Sequence, residues 1–368
     1  MRERVYWHNK LHKRRKMRII HLVSNKVWGG GEQYVLDLAK EFAARGCKVS
    51  IVSRDIDAVT GRFKAAGLPL TTMALKGAID IVSPLRLARM VAGDEPVIIH
   101  VHNFKDATTA VRARALSRNR NVRIVMTRHL VKQAKRSTLY NRLDAMIFVS
   151  QLACNEFMSS TPAIDTTKVH VIHNSIKLPP AATVSSPNEG LTYMFHGRLS
   201  PEKGIDTLLQ AFAMAAMPHA RLVIAGSGNG EYVKTLHEVA ARSGIEQQIT
   251  WTGHVSDIHP LIQKADVGVC PSHVREAGSL SVLEYMSHGK PVVASDNGSQ
   301  PEYITNGKEG FLVQPGDADA LADAIRRLGN AAERKAMGEE AQKSFEERLT
   351  FPIFIAKIEN VYNTVLGK

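Results

Sequence analysis

Short apolar segments alternate with helical segments along almost the whole chain, and this alternation limits the possible folds more than any other feature. Segments such as 97–101 are apolar on both faces, which is typical of parallel strands covered by helices on both sides. Residues 32–45 carry apolar side chains at helical spacing and end at Gly46, a good C-cap. Such repeats predict parallel sheets. We expect strands at 17–23, 48–53, 69–73, 97–101, 122–126, 145–149 and 168–172, then at 191–196, 220–225, 247–251, 266–270, 291–294 and 310–313.

A stretch rich in Pro, Ser and small residues at 175–190 separates the two series of strands and has the composition of a linker. A chain of 368 residues suits two domains. We therefore predict an α/β protein with two doubly wound, Rossmann-like domains and a ligand-binding cleft at the C-terminal ends of their strands. The expected parts are a basic tail (1–16), a first domain (17–176), a linker (177–190) and a second domain (191–349).

The composition is that of an ordinary globular chain, with 44% hydrophobic residues and no apolar run near the ~18–20 residues that span a bilayer. A polar stretch follows the basic N-terminus, unlike a secretory signal. Cys47, Cys154 and Cys270 are scattered and odd in number. They predict buried free thiols and a reducing, cytoplasmic location.

The formal net charge of +13 indicates an anionic partner, and the charge is uneven. Residues 1–16 hold seven cations and one acid, and 112–142 hold ten basic residues and no acid. The tail is either a disordered or mis-assigned start or an anchor on an anionic membrane surface. A solvated helix face normally mixes both signs, so the second run indicates an acceptor or membrane face.

Two cations follow a predicted strand in the segment from His196 to Gly204. Arg198 and Lys203 lie five residues apart, and Pro201 suits the first turn of a helix. Such a pair concentrates positive potential where a departing diphosphate needs it in the absence of a metal. The alternative is a pair of ordinary surface cations.

Two carboxylates, Glu276 and Glu284, are separated by seven residues around the start of a predicted helix. Gly278 and Ser279 would present backbone N–H groups at that helix start. Carboxylates beside a sugar nucleotide accept hydrogen bonds from ribose and hexose hydroxyls. The alternative is a pair of ordinary helix acids.

Glycines and histidines occur at other predicted strand ends. Gly30 and Gly31 lie between the first strand and its helix, where the backbone could approach an anion or turn tightly. Gly226 begins a similar segment that could cradle a phosphate or turn the chain. Histidines lie at the ends of two further strands, and we expect them to line the cleft: His100 and His102 at one, His129 at the next.

Asp55 with Asp57, and Asp317 with Asp319, could bind a divalent metal, but such pairs are frequent by chance. The second pair has the pattern of a helix N-cap followed by a first-turn acid. We therefore expect neither a metal nor another cofactor.

The order of these motifs resembles the family 4 glycosyltransferases of the GT-B fold from Met17 onward. The resemblance is carried by Gly197-Arg198 to Lys203-Gly204, Ala225-Gly226-Ser-Gly228, Pro271-Ser272, Glu276-x7-Glu284, Gly289-Lys-Pro-Val-Val-Ala-Ser295 and Pro301-Glu302-Tyr. It implies transfer from a nucleoside-diphosphate sugar with retention of anomeric configuration and without a metal. It also implies an acceptor domain, a donor domain, and a last segment (350–368) that crosses back onto the acceptor domain.

The resemblance assigns roles residue by residue. Arg198 and Lys203 match the diphosphate-binding pair, Glu276 the donor-sugar contact and Glu284 the ribose contact. His129 matches the active-site histidine, which completes the expected catalytic set. Further donor-binding residues are Gly30, Gly31, Gly226, Gly278, Ser279 and Leu280.

Two departures bear on the substrates. The usual Glu-Gly-Phe-Gly is Glu276-Ala-Gly-Ser279 here, which reshapes the donor-sugar loop. The usual Phe-His-Thr is Arg128-His129-Leu130, which adds a cation beside the histidine. With this added charge, the chain is similar to enzymes that act on anionic or lipid-linked glycans such as lipopolysaccharide core. We expect an acceptor or membrane face at Arg128, Lys132, Lys135 and Arg136, and a location on the inner face of the plasma membrane.

Two other functions fit parts of the sequence. A sugar-nucleotide epimerase has the same fold, but the diphosphate and two-glutamate motifs favour a transferase. A nucleic-acid-binding protein would need aromatic residues among its cations, and 112–142 contain only Tyr140. We therefore expect no nucleic-acid partner.

Overall fold

The computed structural model describes residues 17–134, 137–161, 163–179 and 190–368. The basic tail (1–16), Lys135, Arg136 and most of the expected linker lie outside the described residues. Two parallel sheets, of seven and six strands, account for every expected strand, with bounds within two residues of those predicted. The α/β class and the two doubly wound sheets are therefore confirmed.

The first sheet has the order β3-β2-β1-β4-β5-β6-β7, so the chain runs outward from β1 and then crosses to the other side. That reversal places the switch point between β1 and β4, where ligands bind in such sheets. The strands are β1 Arg18–Val23, β2 Lys48–Ser53, β3 Leu70–Thr72, β4 Val97–Val101, β5 Val122–Arg128, β6 Ala145–Phe148 and β7 Val169–Val171. Its helices are α1 Gly30–Ala44, α2 Asp57–Ala65, α3 Val82–Met90, α4 Phe104–Leu116 and α5 Gln151–Ser160.

The second sheet has the order β10-β9-β8-β11-β12-β13 and reverses between β8 and β11. Its strands are β8 Thr192–His196, β9 Arg221–Ala225, β10 Ile249–Gly253, β11 Val267–Cys270, β12 Val292–Ser295 and β13 Gly310–Val313. The helices that follow are α6 Ile205–Ala215, α7 Gly230–Arg242, α8 His259–Lys264, α9 Leu280–Ser287, α10 Ala318–Arg327, α11 Ala331–Arg348 and α12 Phe351–Val365.

Local sequence explains several helix ends. Gly46 adopts a φ of +84° just after α1, as its expected C-cap role requires. Asp317 caps α10 by accepting a 2.9 Å hydrogen bond from the amide of Ala320, and Asp319 lies in the first turn. This pair is therefore a helix start, as one interpretation of the sequence held.

The final helix, α12, packs against the core of the first sheet although it follows the second in sequence. Phe354, Ile358 and Tyr362 join the cluster that contains Ile19 and Val35. Burial of these apolar side chains fixes α12 on the first sheet.

Glu302 makes a polar contact between the two sheets' domains. Its carboxylate accepts hydrogen bonds from the amides of Gln151 (2.7 Å) and Leu152 (2.8 Å) at the start of α5. It also lies 2.7 Å from Nε2 of His173. Burial alone would raise the pKa of Glu302, but these hydrogen bonds hold it below its usual range. The charged carboxylate thus stabilises the positive end of α5.

Candidate active site

The two domains approach each other where β1 and β5 end on one side and β8 and β11 end on the other. A Cβ atom on Gly30 would lie 3.7 Å from Cδ1 of Leu280, and one on Gly31 would lie 3.8 Å from the His129 ring. The start of α1 therefore contacts His129 and also the first residue of α9. The structure brings these four predicted residues together.

The loop before α1 keeps its backbone exposed to the cleft. Gly29 donates a 2.9 Å hydrogen bond from its amide to Glu32, which also accepts a hydrogen bond from Asn25. Gly30 and Gly31 do not have positive φ, and a Cβ on either would make only ordinary contacts. Their small size is therefore not required by the turn or by packing, and it leaves space on the cleft side of the helix N-terminus.

The two predicted diphosphate-binding cations differ in their surroundings. Lys203 is mostly buried, and its Nζ lies 2.9 Å from Oε1 of Glu276. Arg198 is 68% exposed at its side chain and pairs with Glu202. One cation is thus held beside the predicted sugar-binding carboxylate, while the other lies at the surface and is paired with Glu202.

Glycines hold the segment around Lys203 in place. Gly204 has a φ of +66°, and a Cβ there would lie 2.0 Å from the carbonyl oxygen of Pro271. Gly226 packs in the same way against the carbonyl of Gly197, at 1.8 Å. Gly226 therefore lies next to the Arg198 loop, and this backbone contact explains why no larger residue fits.

Glu284 is mostly buried on α9, beside the ring of His196 at the end of β8. Oε2 of Glu284 lies 3.2 Å from Nε2 of His196. Burial raises the pKa of Glu284 to about 7 and lowers that of His196 to about 3. Near neutral pH the carboxyl is therefore close to its titration midpoint, and the imidazole beside it is uncharged.

The start of α9 lies against the first domain. A Cβ on Gly278 would lie 2.5 Å from Nδ2 of Asn174, so a larger residue here would displace that side chain at the contact between domains. Ala277 is buried in the core of the first domain. Ser279 is the N-cap of α9, although its side chain makes no capping hydrogen bond. The reshaped loop after Glu276 thus fastens this helix start to the first domain.

His129 lies at the end of a row of three histidines, in which His102 contacts His129 and His21 contacts His102. Nε2 of His129 lies 3.3 Å from Nδ1 of His102, and Nε2 of His102 lies 3.4 Å from Nδ1 of His21. Burial lowers the pKa of His129 to about 4 and that of His21 to about 3. The rings are therefore neutral at pH 7, and Nδ1 of His129, the nitrogen that does not face His102, is left for a ligand.

The same cluster is where the described residues come nearest to a metal site. Nitrogen atoms of His21, His100 and His102 lie within 4.8 Å of one another. Both ring nitrogens of His100, however, already face hydroxyls, at 2.6 Å from Tyr362 and 2.7 Å from Thr127. The donor set therefore fits hydrogen bonding within the core better than it fits a metal ion.

Four of the ten cations in the basic run over 112–142 make internal contacts. Arg112 donates to the carbonyls of Ala78 and Asp80, Arg114 pairs with Asp144 at 2.6 Å, and Arg123 donates to the carbonyl of Val365. Arg128 stacks over Phe157 at 5.0 Å and donates to the carbonyl of Lys132, which is itself exposed. These four arginines are therefore engaged within the fold, while Arg118, Arg120, Lys132 and Arg142 are exposed.

Two polar residues near the site were not singled out by sequence. Asp106 accepts hydrogen bonds from the amide of Ser24 (3.2 Å) and from Asn103 (2.6 Å), and ties the loop after β1 to α4. Burial raises its pKa to about 6. His196 was noted only as part of the segment that contains Arg198. Neither lies in a spacing that distinguishes it from a helix acid or a strand-end histidine.

Comparisons with known proteins agree with this geometry. Residues 182–344 match the family model of "Glycosyl transferases group 1" and residues 28–178 match that of "Glycosyltransferase Family 4". The phosphatidyl-myo-inositol mannosyltransferase of Mycobacterium leprae is 27% identical over 363 residues, 92% of this chain and 93% of the relative. The lipopolysaccharide 1,2-N-acetylglucosaminetransferase of Salmonella typhimurium is 26% identical over 277 residues, 70% of each chain.

Among solved structures, HepE of Anabaena in complex with UDP superposes with a TM-score of 0.82 at 21% identity, covering 95% of this chain and 100% of HepE. The two doubly wound domains and their cleft therefore have the GT-B fold, and the two family models identify a glycosyltransferase of that type. Within that class, the chain belongs to the family 4 glycosyltransferases, as its motifs indicated.

Proposed function

We propose that this chain is a retaining, metal-independent glycosyltransferase that moves a hexose from a nucleoside-diphosphate sugar to a glycan or lipid-linked acceptor. One observation carries the proposal: the Lys203–Glu276 pair lies in the domain opposite Gly31 and His129, across the same cleft. A diphosphate at Lys203 would leave its sugar beside Glu276, facing the first domain.

The proposed mechanism uses no protein nucleophile. Arg198, Lys203 and the free N–H groups at the start of α9 stabilise the charge that develops on the departing diphosphate. The acceptor hydroxyl attacks from the face that the diphosphate leaves, and a donor phosphate oxygen takes its proton. Closure of the cleft excludes water and limits donor hydrolysis.

The remaining residues bind and orient the donor. Glu276 accepts hydrogen bonds from the sugar, and Glu284 accepts them from the ribose. Neutral His129 donates to a sugar hydroxyl, with His102 fixing its ring. Gly30 and Gly31 leave room for the donor between the domains.

We further propose an acceptor in cell-envelope polysaccharide or lipopolysaccharide synthesis, used at the cytoplasmic face of the membrane. The support comes from two relatives, whose names describe transfer to a phosphatidylinositol lipid and to lipopolysaccharide. Among the described helices, none has the length and apolar character needed to cross a bilayer. Contact with the membrane would therefore be peripheral for this part of the chain.

Nucleotide binding and product analysis test the proposal. We expect UDP, GDP or ADP to raise the melting temperature equally with and without a chelator. Stabilisation that disappears with the chelator would contradict metal independence, and no stabilisation by any nucleotide would contradict the donor class. With the donor identified, the NMR coupling of the product's anomeric proton should match that of the donor. A changed sugar without a new glycosidic bond would instead identify an epimerase.

A further inference from the structure

The outer face of α3 is unusual for a surface helix because it is apolar at one end and cationic at the other. Val82, Leu85, Arg86 and Arg89 are all exposed, and they follow the spacing i, i+3, i+4, i+7 that places them on one face. Ile79 and Ile81, just before the helix, are 82% and 66% exposed. Four large apolar side chains therefore meet solvent within seven residues.

This segment is firmly held. The opposite face of α3, including Leu87 and Ala88, is buried in the first domain's core. Asp80 caps the segment by accepting hydrogen bonds from the amide of Ser83 (2.9 Å) and the amide of Lys76 (2.9 Å). Arg112 donates to the carbonyls on both sides of Ile79. The isoleucines are therefore displayed on a fixed backbone.

The exposed apolar residues Ile79, Ile81, Val82 and Leu85 form an apolar edge, and the exposed charges around it have one sign. Lys76, Arg86 and Arg89 are exposed, and Asp80, the only acid between residues 74 and 92, is buried and hydrogen bonded. An open cavity of about 390 Å³ adjoins the edge and is lined by Arg54, Lys76 and Arg86, with Asp55 as its one acid. Apolar side chains beside an unbalanced cationic cavity are complementary to an amphiphile with an anionic head.

The apolar edge lies on the cleft side of the first sheet. Gly77 packs against Lys105 at the start of α4, where a Cβ on the glycine would lie 3.4 Å from the lysine side chain. That helix start follows the C-terminal end of β4, at the same sheet edge as His129. A surface docked here would therefore lie beside the mouth of the candidate active site.

We propose that Ile79, Ile81, Val82 and Leu85 insert into the headgroup region of an anionic phospholipid bilayer, while Lys76, Arg86 and Arg89 contact lipid phosphates. The inference rests on the proposed transfer to an envelope acceptor and assigns its membrane contact to α3 rather than to the run over 112–142. A docked bilayer presents a lipid-linked acceptor directly to the cleft.

Vesicle co-sedimentation of the full chain tests this proposal. We expect binding to phosphatidylglycerol–phosphatidylcholine vesicles, weakened by salt, and little binding to pure phosphatidylcholine. The double variant Ile79→Glu, Ile81→Glu should lower the partition coefficient by more than roughly tenfold. It removes two apolar side chains that would insert into the bilayer and adds two acids that anionic lipids repel. Lys76→Ser or Arg89→Ser should each lower it about fivefold.

Leu116→Glu is the matched control, because Leu116 is 53% exposed and lies at the far end of α4, at the opposite edge of the sheet. It should bind vesicles like the wild type. All variants should keep the melting-temperature shift caused by the nucleoside diphosphate, which separates loss of docking from failure of the proposed donor site. Wild-type vesicle binding by the Ile79/Ile81 variant would overturn the proposal. So would equal binding to neutral vesicles, or no binding to either kind, which would leave the apolar edge to a protein partner.

Discussion

Nζ of Lys203 lies 2.9 Å from Oε1 of Glu276. The lysine proposed to bind the diphosphate is therefore already paired with the glutamate proposed to bind the sugar. A bound donor supplies the lysine with phosphate oxygens and the glutamate with hydroxyl donors. Donor binding therefore exchanges one ion pair for two ligand contacts, and each side chain is held near its working position beforehand.

Loss of either cation should slow transfer strongly. Lys203→Ala and Arg198→Ala each remove charge that stabilises the leaving diphosphate, so we expect kcat to fall by ~10²-fold or more. Lys234→Ala is the control, because Lys234 is 80% exposed and belongs to a loose surface pair. Steady-state kinetics with the melting temperature checks this. Near-native rates for Lys203→Ala would show that the ion pair is only structural.

The two glutamates should separate kinetically. Glu284→Ala should mainly weaken nucleoside-diphosphate binding, because ribose contacts are equal in the ground and transition states. Glu276→Ala should mainly lower kcat, by ~10-fold or more, because the sugar is the part that changes. Calorimetric titration and initial rates measure the two effects. Unchanged nucleotide affinity in Glu284→Ala would disprove the ribose assignment.

The raised pKa of Glu284 predicts a pH-dependent stability. Its pKa of about 7, against an ordinary 4.5, means that the folded protein binds this proton more tightly than the unfolded chain does. The stabilisation from the protonated group is therefore lost as pH rises from about 4.5 through 7.

Glu284→Gln, which cannot ionise, should accordingly melt above the wild type at pH 8, with a gain on the order of 2 kcal/mol, and close to it at pH 5. Asp106 also has a raised pKa but titrates in both proteins, so its effect cancels. A melting difference that is the same at both pH values would contradict the assignment.

Two glycines should respond in opposite ways to alanine. Gly31→Ala places a Cβ 3.8 Å from the His129 ring, so the fold should tolerate it, while donor turnover falls if the space belongs to the substrate. Gly204→Ala forces a Cβ to within 2.0 Å of a carbonyl at positive φ and should cost more than ~2 kcal/mol. Thermal unfolding and initial rates distinguish them, and unimpaired turnover in Gly31→Ala would remove that loop from the site.

The sequence predicts strands well here because parallel strands buried on both faces form continuous apolar runs, as in β4. It also places Lys203 and Glu276 at the ends of β8 and β11. It does not indicate that their side chains pair, since 73 residues separate them and nothing local encodes the contact. For the same reason, the sequence does not indicate that part of the basic run over 112–142 is paired internally. Arg114 and Arg123 find their partners through the tertiary fold.

The carboxylate of Glu302, bonded to two amides of α5 and to His173, also limits how the halves of the molecule can move. A rotation of one domain relative to the other that keeps these three hydrogen bonds must have its axis close to Glu302. Residues close to this axis then move little, and the displacement of any other residue grows with its distance from Glu302. Replacing Glu302 should therefore alter the range of rotation between the two domains before it alters the chemistry in the cleft.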